Sequence, residues 1–379
     1  MEINRFFPEI HGNFGFGCMR LPMKDGEVDY DIFCRMADAF TDAGFNYFDT
    51  AHGYIGGKSE AAIRDCVAKR YPRDKFLLTN KLTASYFNKQ EDIRPFVEHQ
   101  LSQCGVDYFD FYLMHAQNKD NYPKYKSCKA YETAYALKDE GLIRHFGLSF
   151  HDNPEVLDMI LQEHPEIEIV QIQFNYVDYN DESVESKRVY EICEKHGKPV
   201  IVMEPVKGGS LVDLPKEADE VFRKLNGCSN AGYAIRFAAS FPNMTMVLSG
   251  MSDMAQMEDN IGTMRDFIPL DDSEMEAVNK VCDIFRGMHL IPCTSCRYCI
   301  EENECPKGIR IPAVFSALNS FEMFHSWNSH MYYDNAVTGD GHGRASDCIR
   351  CGKCEKVCPQ HLPIRELLKK AADIFDRQK

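Results

Sequence analysis

Along the first two-thirds of the chain, short apolar runs alternate with amphipathic stretches. The runs are GFGCMRL (15–21), FNYFDTA (45–51), FLLTNKL (76–82), FDFYLMH (109–115), IRHFGLSF (143–150), IEIVQIQFN (167–175), KPVIVMEPV (198–206) and NMTMVLSGM (243–251). Each is rich in β-branched or aromatic residues and reads as a buried strand. A helical pattern follows each. Ile93, Phe96, Val97 and Leu101 form one apolar stripe at helical spacing, and Val156, Leu157, Ile160 and Leu161 form another. Asn153-Pro154 starts the second with a capping residue and a proline suited to a first turn. Eight strand–helix units in about 250 residues predict an α/β chain folded as a (β/α)₈ TIM barrel. A doubly wound open sheet would carry fewer units and a different nucleotide loop.

A further helix is expected from about Asp271 to Arg286, after which Gly287 and Pro292 break the pattern. The domain boundary is placed there, giving a barrel over 1–287 and a small domain over 288–379. The 379 residues carry 43 basic and 58 acidic side chains, a net charge of −15. No basic stripe offsets that charge, so nucleic acid is excluded as an expected partner. No apolar run reaches the ~18 residues of a membrane span, and the first residues lack a signal-peptide core. A soluble, cytoplasmic protein is expected.

The cysteines sharpen the picture. Eight of the 16 are scattered between Cys18 and Cys282 and read as reduced thiols. The other eight lie in two groups: Cys293, Cys296, Cys299 and Cys305, then Cys348, Cys351, Cys354 and Cys358. Each group is a triplet spaced Cys-x₂-Cys-x₂-Cys followed by a Cys-Pro, the spacing that holds iron–sulfur clusters. Zinc is the alternative, but it usually draws two Cys-x₂-Cys pairs from separate segments. The doubled pattern resembles bacterial two-cluster ferredoxins. That resemblance implies two [4Fe–4S] clusters with crossed ligands: Cys293, Cys296, Cys299 and Cys358 on one, Cys348, Cys351, Cys354 and Cys305 on the other. The segment 308–347 between the motifs carries Phe315, Phe321, Phe324, Trp327, Tyr332 and Tyr333. These aromatics either pack the small domain or line a substrate pocket.

In a barrel, catalytic groups sit at the C-terminal ends of strands. Those ends offer Asp49, Lys81 and His115, with Tyr54 in the loop after Asp49. A tyrosine of pKa about 10 is a poor acid at neutral pH, and a neighbouring lysine cation lowers that value. A carboxylate fixes the lysine, and a histidine orients a carbonyl oxygen. FDTAHGY, TNKL and LMHA thereby resemble the Asp, Tyr, Lys and His tetrad of the aldo-keto reductases, over about Gly15 to Asn260.

The resemblance implies reversible carbonyl reduction by NADP or NAD bound without a Rossmann fold, acting on a small carbonyl or alcohol. It places Ser149 and Gln171 at the nicotinamide carboxamide. Glu204, Pro205, Val206 and Gly208 follow the pyrophosphate, and Gly250, Met251, Ser252, Gln256, Asp259 and Asn260 the adenosine end. Met19, Arg20 and Asp49 complete the cofactor set. Met203 stands where many relatives stack an aromatic ring on nicotinamide. Gly250 and Gln256 stand where many carry Lys and Arg for a 2′-phosphate, so NAD is a plausible coenzyme. The local chemistry agrees: Gly208-Gly209 lets backbone approach a phosphate, and Gly250 to Ser252 opens the last barrel helix. GFGCMR lacks the third glycine of a dinucleotide loop and is read as strand.

Hydride moves two electrons and a cluster one, and no flavin fingerprint is visible. The clusters are therefore open to three roles: staples, an electron port for a ferredoxin or flavoprotein partner, or a wire to another site. The port is favoured. A second hypothesis is an electron-transfer subunit whose barrel only binds nucleotide or a partner; the intact tetrad argues against it.

Overall fold

All eight apolar runs form strands, in a computed structural model that describes residues 4–181, 184–288, 290–301, 304–324, 327–339 and 341–376. The strands are β1 (Phe14–Gly17), β2 (Tyr47–Asp49), β3 (Leu77–Leu82), β4 (Phe109–Gln117), β5 (Ile143–Phe150), β6 (Ile169–Gln173), β7 (Val200–Met203) and β8 (Met244–Gly250). They pair in parallel and close into a barrel, β1 pairing with both β2 and β8. A short hairpin, Met23–Lys24 with Glu27–Val28, lies outside it.

Side chains fill the barrel. Tyr47, Leu77, Phe111, Leu113, Ile169, Ile201, Met246 and Leu248 form a single buried cluster joined by Phe7 and Ile10 from the N-terminal segment. Gly15 belongs to this layer: a Cβ there would lie 2.7 Å from Leu248 and 2.8 Å from Met246. The first glycine of GFGCMR thus serves barrel packing, and the chain then makes a 3₁₀ turn over Cys18–Arg20.

The helices obey their patterns. In α1 (Ile93–Cys104), the four expected stripe residues are buried, and Gly105 ends the helix at φ 69°. In α2 (Pro154–Glu163), the Asn153 side chain accepts from the Val156 amide, and Leu157, Ile160 and Leu161 are buried. Each such burial stabilises by about 1.5–3 kcal/mol. Val156, at the edge of the stripe, is half-buried. Helix α3 (Met254–Met264) follows β8, and α4 (Asp272–Met288) follows α3.

Contacts divide the chain into two compact units, Met1–Pro205 with Ala231–Asp271, and Val206–Asn230 with Asp272–Lys379. By contact, α4 and the loop after β7 therefore group with the cysteine-rich tail, so the units differ in extent from segments 1–287 and 288–379. The second unit has its own core, in which α5 (Ile311–Phe324) and α6 (Ile364–Phe375) supply Val314, Phe315, Leu318, Leu368 and Phe375. Tyr333 stacks on Phe375 at 4.5 Å, and Phe321 packs against the same core. Three of the insert's aromatics thus pack inside this unit; Tyr332 is exposed, and the side chains of Phe324 and Trp327 lie outside the described residues. Among the described residues no helix is long and apolar enough to cross a membrane.

Candidate functional site

Asp49 ends β2, Lys81 lies near the end of β3 and His115 near the end of β4, so the barrel's register gathers them at one end. Lys81 Nζ donates to Asp49 Oδ1 at 2.6 Å, to the Thr50 carbonyl at 2.9 Å and to the Tyr54 hydroxyl at 3.2 Å. Tyr54 reaches it because Ile55, Gly56 and Gly57 all take positive φ and fold the loop tightly. The Tyr54 and His115 rings lie 6.1 Å apart. The lysine backbone is clamped as well. Gln100 of α1 donates to the Lys81 carbonyl at 3.1 Å and to Asn80 Oδ1 at 3.0 Å, while Tyr112 donates to Gln100 Oε1 at 2.6 Å.

Burial opposes the charge on Lys81, but Asp49 and Tyr54 outweigh it and hold its pKa above the ordinary lysine value. Asp49 is pushed up by burial, against the pull of Lys81 and Gln171. Tyr54 departs from expectation. Burial raises its pKa, and Lys81 lowers it by less, so the phenol keeps its proton. His115 falls well below the ordinary histidine value because it is buried, with Lys81 and His151 adding to the effect. Its ring is neutral. Nδ1 of that ring lies 2.6 Å from Thr83 Oγ1.

Thr83 and His151 were not among the expected site residues. Thr83 stands two residues after Lys81, where strand alternation puts both on one face, so the signal was available in TNKLT. For His151 the only signal was its place just past the strand end.

Ser149 and Gln171 are register partners on β5 and β6, both buried. Gln171 Nε2 donates to Asp49 Oδ2 at 3.2 Å, which sets this polar pair beside the tetrad. A hydroxyl and an amide side by side suit a carboxamide, so these residues fit a nicotinamide. Met19 and Met203 are half-buried. Arg20 lies 3.7 Å from Glu204 Oε1, and a Cβ on Gly250 would touch the Arg20 stem at 3.2 Å. Ser252 Oγ donates to the Arg20 carbonyl at 2.9 Å. The strands that end here, β1, β7 and β8, are neighbours in the barrel. Pro205 and Met251 are buried behind them, and Asn260 donates to Ser249 Oγ at 2.9 Å. Asp259 is exposed on α3.

Two details correct the expected phosphate contacts. Gly250 closes β8 rather than opening a helix; α3 begins at Met254, and Asp253 is its cap, accepting from the Gln256 amide at 2.9 Å. A carboxylate already occupies the anion-favouring end. Gly208, at φ 64°, belongs with Val206 to the second unit, where a Cβ would collide with the Thr294 carbonyl. Its missing side chain admits the backbone between Cys293 and Cys296.

In the second unit, one cavity is lined by Cys293, Cys296, Cys299 and Cys358. Another is lined by Cys305, Cys348, Cys351 and Cys354. A tetrahedral zinc at 2.3 Å from sulfur would need sulfurs about 3.8 Å apart. Among the described residues no three His, Cys, Asp or Glu side chains are grouped to hold one ion. Four thiols lining each cavity fit the ligand set of one [4Fe–4S] cluster apiece.

The comparisons agree with this architecture. Residues 13–283 match the Aldo/keto reductase family, and residues 292–362 match the 4Fe-4S dicluster domain. The chain belongs to the aldo/keto reductase family and carries a C-terminal iron–sulfur domain. It is an oxidoreductase. It is 25% identical over 279 residues to the uncharacterized oxidoreductase YqkF of Bacillus subtilis, covering 65% of this chain and 85% of that protein. It is 27% identical over 209 residues to the NADH-specific methylglyoxal reductase of Escherichia coli, covering 50% of this chain and 61% of that protein. An aldo-keto reductase of Bacillus halodurans in its holo form shares the fold, with TM-score 0.60, 23% identity, and coverage of 72% of this chain and 92% of that one.

Proposed function

We propose that the barrel interconverts a small carbonyl compound and its alcohol with a nicotinamide coenzyme. The observation that carries this reading is the chain Asp49–Lys81–Tyr54 beside a neutral His115. The coenzyme, when bound, supplies or accepts the hydride. In the reducing direction Tyr54 donates its proton to the carbonyl oxygen, and its raised pKa keeps that proton loaded beforehand. Lys81 stabilises the phenolate left behind, so its contribution grows toward the transition state. Asp49 keeps Lys81 charged. The hydrogen bond between Thr83 and His115 Nδ1 fixes the ring's tautomer and orientation beside Tyr54.

Ser149 and Gln171 would hold the carboxamide, with Arg20, Met203, Glu204, Pro205, Gly250, Met251, Ser252, Gln256, Asp259 and Asn260 along the rest of the coenzyme. NADH is the preferred form: Asp253 caps α3, and neither Gly250 nor Gln256 offers a cation to a 2′-phosphate. A relative named as NADH-specific supports this. In this reading residues 1–287 carry the hydride chemistry. Residues 288–379 hold two [4Fe–4S] clusters, one ligand set per cavity, that exchange electrons with a ferredoxin or flavoprotein partner. Among the described residues no two cysteines form a disulfide, which suits a reducing cytoplasm.

The test is Tyr54→Phe against a panel of carbonyl substrates with NADH and NADPH. Carbonyl reduction falls by about 10²–10⁴-fold, while coenzyme affinity holds, because the ring remains. A variant retaining more than about a tenth of the rate rules out Tyr54 as the acid.

A further inference from the structure

The surroundings of the two cysteine cavities differ in exposure and in charge. Around the first, Cys299 is buried and Cys293, Cys296 and Cys358 are half-buried; around the second, Cys351 is exposed. Ile349, beside it, is 56% exposed and lines the same cavity with Lys307, Arg350 and Arg365. Arg350 takes φ 57° and Gly352 φ 75°, so the ligand loop turns sharply between Cys348 and Cys354. The second cavity therefore offers a short path for an electron to the surface.

Charge singles out the same place. Counted from the first ligand of each segment, residues 305–310 and 348–370 hold eight lysines and arginines against two acids. The chain as a whole is net −15; Lys369 pairs with Asp373 and Lys370 with Glu322, so the excess rests on the ligand loops themselves. Both acids are matched, Glu355 by Arg365 and Glu366 by Arg350. Lys307, Lys353 and Lys356 are exposed. A concentrated positive field on an otherwise negative molecule selects and orients an anionic visitor and repels a cationic one.

We propose that this face, centred on Cys351 and Ile349, is the electron port, and that it docks a small acidic one-electron carrier protein. Ile349 supplies an apolar contact at the centre, and Lys307, Arg350, Lys353 and Lys356 a cationic rim. The reduced carrier gives up one electron and becomes oxidised. The cluster held by Cys305, Cys348, Cys351 and Cys354 gains that electron, and no bond is made or broken. The inference rests on the cluster reading above.

The experiment uses the cluster-loaded full chain, reduced with dithionite and desalted anaerobically. It is mixed with ferricyanide or with hexaammineruthenium(III) at rising ionic strength, and bleaching reversal is followed by stopped flow. A positive port makes the ferricyanide rate fall about tenfold between low and physiological salt, and makes the ruthenium rate rise. The whole-protein charge alone predicts the opposite signs, so a ferricyanide rate that rises with salt overturns the proposal. Lys353→Glu with Lys356→Glu should shrink or invert both slopes and weaken calorimetric binding of an acidic plant-type ferredoxin at least tenfold. Lys307→Glu, outside the second ligand loop and exposed, repeats the test if the double variant assembles poorly. Slopes unchanged in variants of full iron content also overturn it. Iron and sulfide assays, run first, separate a failed port from absent clusters.

Discussion

Replacing Lys81 by Met removes a fully buried cation but keeps the length of its stem. Three hydrogen bonds vanish, at 2.6, 2.9 and 3.2 Å. Asp49 keeps only the Gln171 amide, at 3.2 Å. Breaking one side of a buried pair costs about 3–5 kcal/mol, because the remaining charge is uncompensated. Protonation sets a ceiling on this cost. From an unfolded value near 3.9, neutralising Asp49 at pH 7 costs about 1.36 kcal/mol for each of roughly three pH units, or about 4 kcal/mol. The sign follows from linkage. Asp49 is already raised by burial, and without Lys81 it rises further. The folded variant then binds a proton that the unfolded chain releases, so its stability is highest below pH 4 and falls as pH increases. The loss relative to the parent is thus at most about 4 kcal/mol at pH 7 and at most about 1.5 kcal/mol at pH 5. Asp49→Asn in the Lys81→Met background removes the stranded charge, restores at least about 2 kcal/mol at pH 7 and flattens the pH dependence. Chemical denaturation followed by circular dichroism at both pH values measures all of this. Equal stability of the single and double variants, or a single variant indifferent to pH, would refute the reasoning. Both variants should lack carbonyl reductase activity.

Thr83→Val should lower kcat roughly tenfold, the worth of one hydrogen bond of about 1–1.5 kcal/mol, and Thr83→Ser should restore it; a valine variant at the parental rate removes Thr83 from the tautomer argument. Gly208→Ala should lose iron on anaerobic reconstitution, since its φ of 64° and the Thr294 carbonyl both exclude a side chain; full iron content in a folded variant would show that the segment before Cys296 can move aside. Protein assembled anaerobically should hold about eight iron and eight sulfide per chain, as two [4Fe–4S] clusters require. Two zinc ions and no broad visible absorbance would defeat the cluster reading.

Local chemistry wrote much of this protein into its sequence. The eight apolar runs are strands because β-branched and aromatic residues suit a surface buried on both faces. Asn153-Pro154 starts a helix by filling its own amide needs, wherever the helix lies. Tetrad residues were legible because strand ends are where a barrel exposes chemistry, and the cysteine motifs because ligand spacing is nearly independent of context. What the sequence left open depended on neighbours distant along the chain. Tyr54 has a raised pKa because desolvation, which only packing sets, outweighs a lysine that the motif already implied. Gly208 could have served a phosphate; across nearly ninety residues, the fold brings the Thr294 carbonyl against it instead. Gly250 to Ser252 read as the opening of the last barrel helix, but β8 runs to Gly250 and Asp253 caps the helix instead. Cys305 and Cys358 reach the cavities of each other's triplets. Such pairings join segments far apart in sequence, so they exist only once the chain has closed on itself.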